Sequence, residues 1–306
     1  MNLLGTSQEH VLFGPQDSYY QVLGSRASEA CTSIDCFVAG NSYTDQATIG
    51  TMCRFSAGQM FYYPGFSGYT HGFNLESDLY RLLTRETYFD CVATLRVSSG
   101  LQVADVYGNF LMKDKGEIEL ASIDCDKTLA FRIALERKLE GEKSSTFQLA
   151  VLYTTAEGKR YIRVHTQNLP ITTSLSQIFR VADVDALVSL SIRQVINLLH
   201  RDSIVDARKA LRDAAVDILY TYRRRCASTT SSGQLILPEA LKLLPLYTLG
   251  ILKNPLLRDF VPSDERNYAF HCSTMMPLSV CTPFYNPRIF CLSDMPSEVA
   301  VRSPII

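Results

Sequence analysis

Most of what this chain lacks excludes a class of function. No GxGxxG follows a strand and no GxxxxGK[ST] occurs anywhere, so neither usual glycine-rich turn for holding a nucleotide phosphate is present. The five histidines, at positions 10, 71, 165, 200 and 271, are scattered, with no HExxH and no second histidine at helical spacing, which argues against a zinc site. A nucleophile elbow is excluded by the absence of GxSxG.

Charge of one sign is lacking too. With 30 Lys and Arg against 31 Asp and Glu, the formal net charge is −1, so no global field favours nucleic acid or an anionic membrane. An electrostatic partner must be met by a local patch. The nine cysteines (31, 36, 53, 91, 125, 226, 272, 281 and 291) form no CxxC and stand singly, which predicts reduced core thiols in a cytosolic protein. MNLLGTSQEH has no basic region followed by a long apolar run and is not a secretory signal. The most apolar window, Leu235 to Leu252, is interrupted by Pro238, Glu239, Lys242 and Pro245 and is too short to span a bilayer.

What is present falls into three regimes. Helix is predicted at Asp17–Ala30, strand at Ile34–Ala39, helix at Asp45–Phe55, strand at Gln59–Tyr63, and helix at Asn74–Arg85 with Leu75, Leu79, Leu82 and Leu83 on one side. That βαβα order implies a parallel, doubly wound sheet. The run Phe61-Tyr62-Tyr63-Pro64-Gly65-Phe66 reads as rings packed at a strand end. From Thr87 the period shortens to two, and about six strands with frequent turns predict an antiparallel sandwich or barrel to about Thr173. Its last hairpin, Phe147 to Pro170, is expected to have one buried face (Phe147, Leu149, Val151, Tyr153, then Ile162 and Val164) and one wet, basic face. Asp124 and Asp126 flank Cys125 in an apparent turn, where carboxylates face solvent.

From Ser174 the pattern is helical. Asp183–Asp202 carries a broad apolar stripe, and Ser203-x-x-Asp206 resembles a capping box for a helix running to about Tyr222. Pro238 suits the first turn of a third helix and Pro245 should kink it. Another helix is placed near Asp264–Cys272. Pro277, Pro283 and Pro287 read as a linker into a short segment, Arg288–Ser293, that could open another β-containing module. Sequence physics stops there, at a multidomain protein in which binding is preferred over catalysis.

The blocks LTRETYFDCVATLRVSSGLQVADVYGNF (Leu83–Phe110) and AVLYTTAEGKRYIRVHTQNLPITTSLSQIFRVADVDA (Ala150–Ala186) closely resemble the Sec24 family, the cargo-adaptor subunit of the inner COPII vesicle coat. MNLLGT with VLFGPQD, the tract ending MFYYPGF, LPEALKLLPLYTLGILKNPLLR, SDERNYAFH and FYNPRIFCLSDMP agree in the same order. The resemblance implies a multidomain α/β + β + α fold. Its parts would be the C-terminal part of a von Willebrand-type trunk (1–85), a β-sandwich (86–174), a helical domain (175–281) and the start of a gelsolin-like module (282–306). The metal-adhesion signature DxSxS of von Willebrand-type domains is absent.

By the same resemblance the protein is expected to pair with the Sec23 subunit as a heterodimer and to meet the Sar-type GTPase and the outer coat indirectly. It would lie on the cytoplasmic face of the endoplasmic reticulum membrane, bind cytosolic tails of cargo and SNARE proteins, and carry no catalytic residue. The family's zinc ribbon is not found in these residues, so no zinc or other cofactor is expected. Local chemistry, not a matched family site, nominates Arg96, Arg160, Arg163 and His165 for acidic signals, with Tyr153 and Tyr161 as walls.

Overall fold

The structure is a computed structural model that describes residues 3, 5–6, 8–113, 116–227 and 236–286. Arg288–Ser293 and the rest of the expected gelsolin-like start beyond Asn286 lie outside the described residues.

The first unit has the expected βαβα order: α1 (Tyr19–Glu29), β1 (Cys36–Gly40), α2 (Gln46–Phe55), β2 (Met60–Pro64) and α3 (Gly68–Thr84). β1 and β2 pair in parallel from Cys36 opposite Met60 to Gly40 opposite Pro64. The tyrosine-rich run packs its rings as predicted: Phe61 stacks on Phe37 at 4.5 Å, and Tyr63 hydroxyl donates to Asp78 at 2.8 Å. α3 starts six residues before Asn74, because Ser67 is extended and its hydroxyl accepts from the Tyr69 amide at 3.3 Å. None of its residues is buried, and on its apolar side Leu79 and Leu83 are 42% and 74% exposed.

The sandwich has seven strands, one more than the period suggested: β3 (Thr87–Val97), β4 (Leu101–Tyr107), β5 (Leu111–Met112), β6 (Ile118–Asp124), β7 (Ala130–Leu135), β8 (Ser144–Thr154) and β9 (Arg160–Pro170). One sheet runs β5-β6-β3-β8-β9 and the other is β4-β7, with every pairing antiparallel. Cys91, Ala93, Ile118 and Leu120 form the buried centre, joined by Ala57 from the end of α2. There Gly58 approaches so closely that a Cβ would lie 1.8 Å from the Ile34 carbonyl oxygen.

The β8–β9 hairpin forms, but its faces are not as the alternation predicted. The five-residue loop 155–159, with Gly158 at φ 79°, sets Thr154 opposite Arg160 and Tyr153 opposite Tyr161. Partners in an antiparallel pair share a face, so Tyr161, Arg163 and His165 lie with Tyr153, Val151 and Leu149. Ile162 and Val164 point to the other side and are 66% and 49% exposed. β9 is the sheet's edge, exposed along its whole length, because the described core ends beneath β8.

The third unit comprises α4 (Leu175–Val181), α5 (Val184–Leu199), α6 (Ile204–Arg225), α7 (Leu244–Lys253), α8 (Ser263–Met275) and α9 (Leu278–Tyr285). Asp183 caps α5 by accepting from the Ala186 amide at 3.0 Å, and Ser203 caps α6 by accepting from the Asp206 amide at 3.2 Å. Val188, Ile192 and Leu199 of α5 pack on Leu211, Leu244 and Ile251. Pro245 occupies the first turn of α7, where its missing N–H costs nothing, and so introduces no mid-helix kink. The expected proline linker is helical at α9, since Cys281 and Tyr285 are drawn into the core at 1% and 4% exposure. All eight described cysteines are free; Cys31 and Cys125 are exposed, which departs from the reading of them as core thiols. Among the described residues no helix is long and apolar enough to cross a membrane.

α8 ties the third unit to the first. Asp264, 3% exposed, accepts from the Thr44 amide at 2.7 Å and from the Gln46 amide at 2.9 Å, capping α2 in place of Asp45, whose own side chain makes no cap. Arg266, fully buried, donates to the carbonyls of Pro255, Leu256 and Arg258 at 2.9–3.0 Å and pairs with Glu9 at 3.4 Å. His271 Nε2 accepts from the Met60 amide at 2.8 Å. Phe13, in the 3-10 turn Glu9–Phe13, packs edge-on to Phe270 at 5.3 Å inside the helical core. These are the residues of the SDERNYAFH block, whose role its composition did not reveal.

Candidate functional site

Where α3 hands over to β3, the first unit and the sandwich are joined by charge. Arg85 pairs with Asp124 at 3.1 Å and with Asp126 at 3.0 Å; Arg81 pairs with Asp126 at 2.5 Å, and Lys127 stands 3.8 Å from Asp124. Asp124 and Asp126 are therefore not free turn carboxylates; the Asp124 side chain is only 1% exposed. The hydrogen bond from Arg81, with Arg85 adding to it, holds the Asp126 carboxyl below its ordinary range, while burial lowers Lys127. Lys127 also donates to the Ala57 carbonyl, and Asn109 donates to the Gly58 carbonyl at 2.9 Å.

Above this network opens a cleft of about 770 Å³ lined by Leu82, Arg85, Tyr88, Tyr153, Glu157 and Tyr161. Its sandwich wall is a row of rings. Tyr88 lies 4.6 Å from Tyr153, which stacks on Tyr161 at 6.0 Å and 29°. Tyr88 hydroxyl donates to Glu86 at 2.7 Å. The row exists because the hairpin loop's parity sets Tyr161 beside Tyr153 and the pairing of β3 with β8 adds Tyr88. Tyr88 was missed in the sequence, since only the strand register places it beside Tyr153.

The six nominated residues divide between two faces. Tyr153 and Tyr161 line the cleft, and Arg163 and His165 continue the same face of β9 opposite Val151 and Leu149. Arg163 makes no ion pair among the described residues. Arg160 is on the opposite face and pairs with Asp90, which sits at the β3 bulge with φ 50°. Arg96 shares that opposite face but is opposite Gln148, six residues or about 20 Å along β8 from the Arg160 position. The structure thus brings together Tyr153, Tyr161, Arg163 and His165, adds Tyr88, and leaves Arg96 and Arg160 apart. Chemically, the rings can pack against an apolar or aromatic group and Arg163 can pair with an acid. Among the described residues no group of three or more His, Cys, Asp or Glu is placed to hold a metal ion.

Comparison with known proteins places the three units in one order. Residues 1–83 match the Sec23/Sec24 trunk domain, 88–172 the Sec23/Sec24 beta-sandwich domain and 183–283 the Sec23/Sec24 helical domain. The chain is 35% identical over 94% of its length to protein transport protein SEC24 A of Arabidopsis thaliana, and 32% identical over 99% to protein transport protein Sec24C of Homo sapiens. It spans about 28% of the length of each of these relatives. Its structure superposes on that of the human COPII-coat protein Sec24c with a TM-score of 0.89 at 30% identity, covering 100% of this chain and 41% of that one.

Proposed function

The chain belongs to the Sec23/Sec24 family, and on that premise we propose that it acts in the COPII coat as a cargo-binding piece of a Sec24-type subunit. The observation that carries this reading is the tyrosine row of Tyr88, Tyr153 and Tyr161 continued by an arginine without an acidic partner, Arg163. Export signals on cytosolic tails, including those of SNARE proteins, combine apolar side chains with acids, and that pairing of chemistry fits rings beside a guanidinium. The role is recognition, not a reaction. Its partners would be a Sec23 subunit through the trunk and, through the assembled coat, a Sar-type GTPase and the outer layer. Its place would be the cytoplasmic surface of the endoplasmic reticulum membrane.

The test is fluorescence anisotropy of tail peptides, acidic and apolar with scrambled controls, titrated with the folded chain. Saturable, sequence-dependent binding that Arg163→Glu weakens at least tenfold is expected, the loss of one charge-assisted contact plus the introduced repulsion. Absence of binding by every peptide would leave this piece as scaffold.

A further inference from the structure

A second cavity lies away from the tyrosine cleft, where all three units meet. It encloses about 300 Å³, with Gln46 and Arg54 from α2, Arg193, Asn197 and His200 from α5 and its end, and His271 from α8 among its walls. The sandwich closes it with the loop after β4. In a chain with 31 acidic residues, not one Asp or Glu lines this space.

Two guanidiniums meet it without a carboxylate. Arg54, exposed at the rim of the cavity, makes no ion pair or hydrogen bond among the described residues, and its guanidinium lies 5.9 Å from the Phe55 ring. Arg193, 1% exposed, donates only to neutral oxygens: the Ser189 carbonyl and hydroxyl, and the carbonyls of Thr274 and Met276. Its Nε has no partner. Gln46 is 3% exposed, and neither its amide nitrogen nor its amide oxygen is bonded. Buried polar groups are almost always paired, and each one left unpaired is destabilising. Here the unpaired groups border one cavity beside two uncompensated cations. His271 is held neutral there, its pKa pushed down to about 4 by burial first and then by Lys127 and Arg54, and His200, exposed at the rim, is lowered by desolvation and by Arg54, so neither ring adds a charge.

We infer that this three-unit junction is a binding site for a small oxyanion of the phosphate class, held by Arg54 with the Arg193 Nε–H and the Gln46 amide as further donors. Guanidinium and amide donors bordering one space suit the acceptor oxygens of such an anion. Because the donors sit on α2 and α5, binding links the first unit to the third and stabilises the folded chain by mass action.

The experiment titrates the 306-residue chain with inorganic phosphate at ionic strength held constant with chloride, reading the thermal midpoint and phosphorus-31 line broadening. A saturable response is expected, weakened at least tenfold by Arg54→Gln and unchanged by Arg212→Gln, an exposed α6 arginine elsewhere. Gln46→Leu should weaken binding severalfold while raising the unliganded midpoint, because it removes an unsatisfied buried amide. No response beyond chloride, or a response that survives Arg54→Gln, would overturn the site. Acetate binding as tightly as phosphate would overturn the assignment to the phosphate class.

Discussion

α8 and β9 are both rich in polar side chains, and they use them in opposite ways. Along α8, Asp264, Arg266 and Asn267 are 3%, 0% and 7% exposed, and each reaches a backbone group outside its own helix. Along β9 every residue is exposed, and Arg163 and His165 project beside a cleft. Polarity of sequence therefore does not separate surface from seam. What separates them is whether the opposing backbone offers unpaired donors and acceptors that only a side chain can satisfy.

The contrast can be broken most severely at Arg266. Arg266→Ala takes the guanidinium from three carbonyls and leaves buried Glu9 without its cationic partner, and is expected to cost about 3–5 kcal/mol, read as a fall in the urea midpoint at unchanged slope. His271 sharpens it through pH. Its folded pKa of about 4 lies below the ordinary value of about 6.5, so its contribution is full above pH ~6.5 and is lost as pH falls toward 4. The depression corresponds to a loss on the order of 3 kcal/mol across that window. His271→Gln, which keeps an acceptor for the Met60 amide, should flatten the pH–stability curve there relative to the parent.

Asp264→Ala comes next, at about 2 kcal/mol, because it uncaps α2 and frees the Thr44 and Gln46 amides; differential scanning calorimetry would register it. Smallest is Arg163→Glu on β9, expected within about 0.5 kcal/mol of the parent in stability while peptide binding falls. Were Arg163→Glu to destabilise as much as Asp264→Ala, the distinction between seam and surface would fail.

Local patterns were legible wherever a local cause set them. The three regimes, the parallel β1–β2 pair and the Ser203 cap followed from period and capping chemistry near at hand. β9 was misread because alternation gives two faces but not which one turns inward; the loop between Thr154 and Arg160 decides that by one residue. The cleft was half visible, in Tyr153 and Tyr161, and half hidden, since Tyr88 joins them only through register. The cap on α2 could not be read at all, because its donor helix and its acceptor are 218 residues apart.

That separation has a temporal meaning. Glu9 meets Arg266 across 257 residues, and Phe13 enters a core whose other ring, Phe270, is made just as late. At ~5–20 residues per second of synthesis, the opening segment leaves the ribosome roughly 13–50 s before its binding place exists. Through that interval the sandwich completes itself from its own strands, while Phe13 waits uncovered. A nascent chain of this design keeps Phe13 without its core until α8 has been translated.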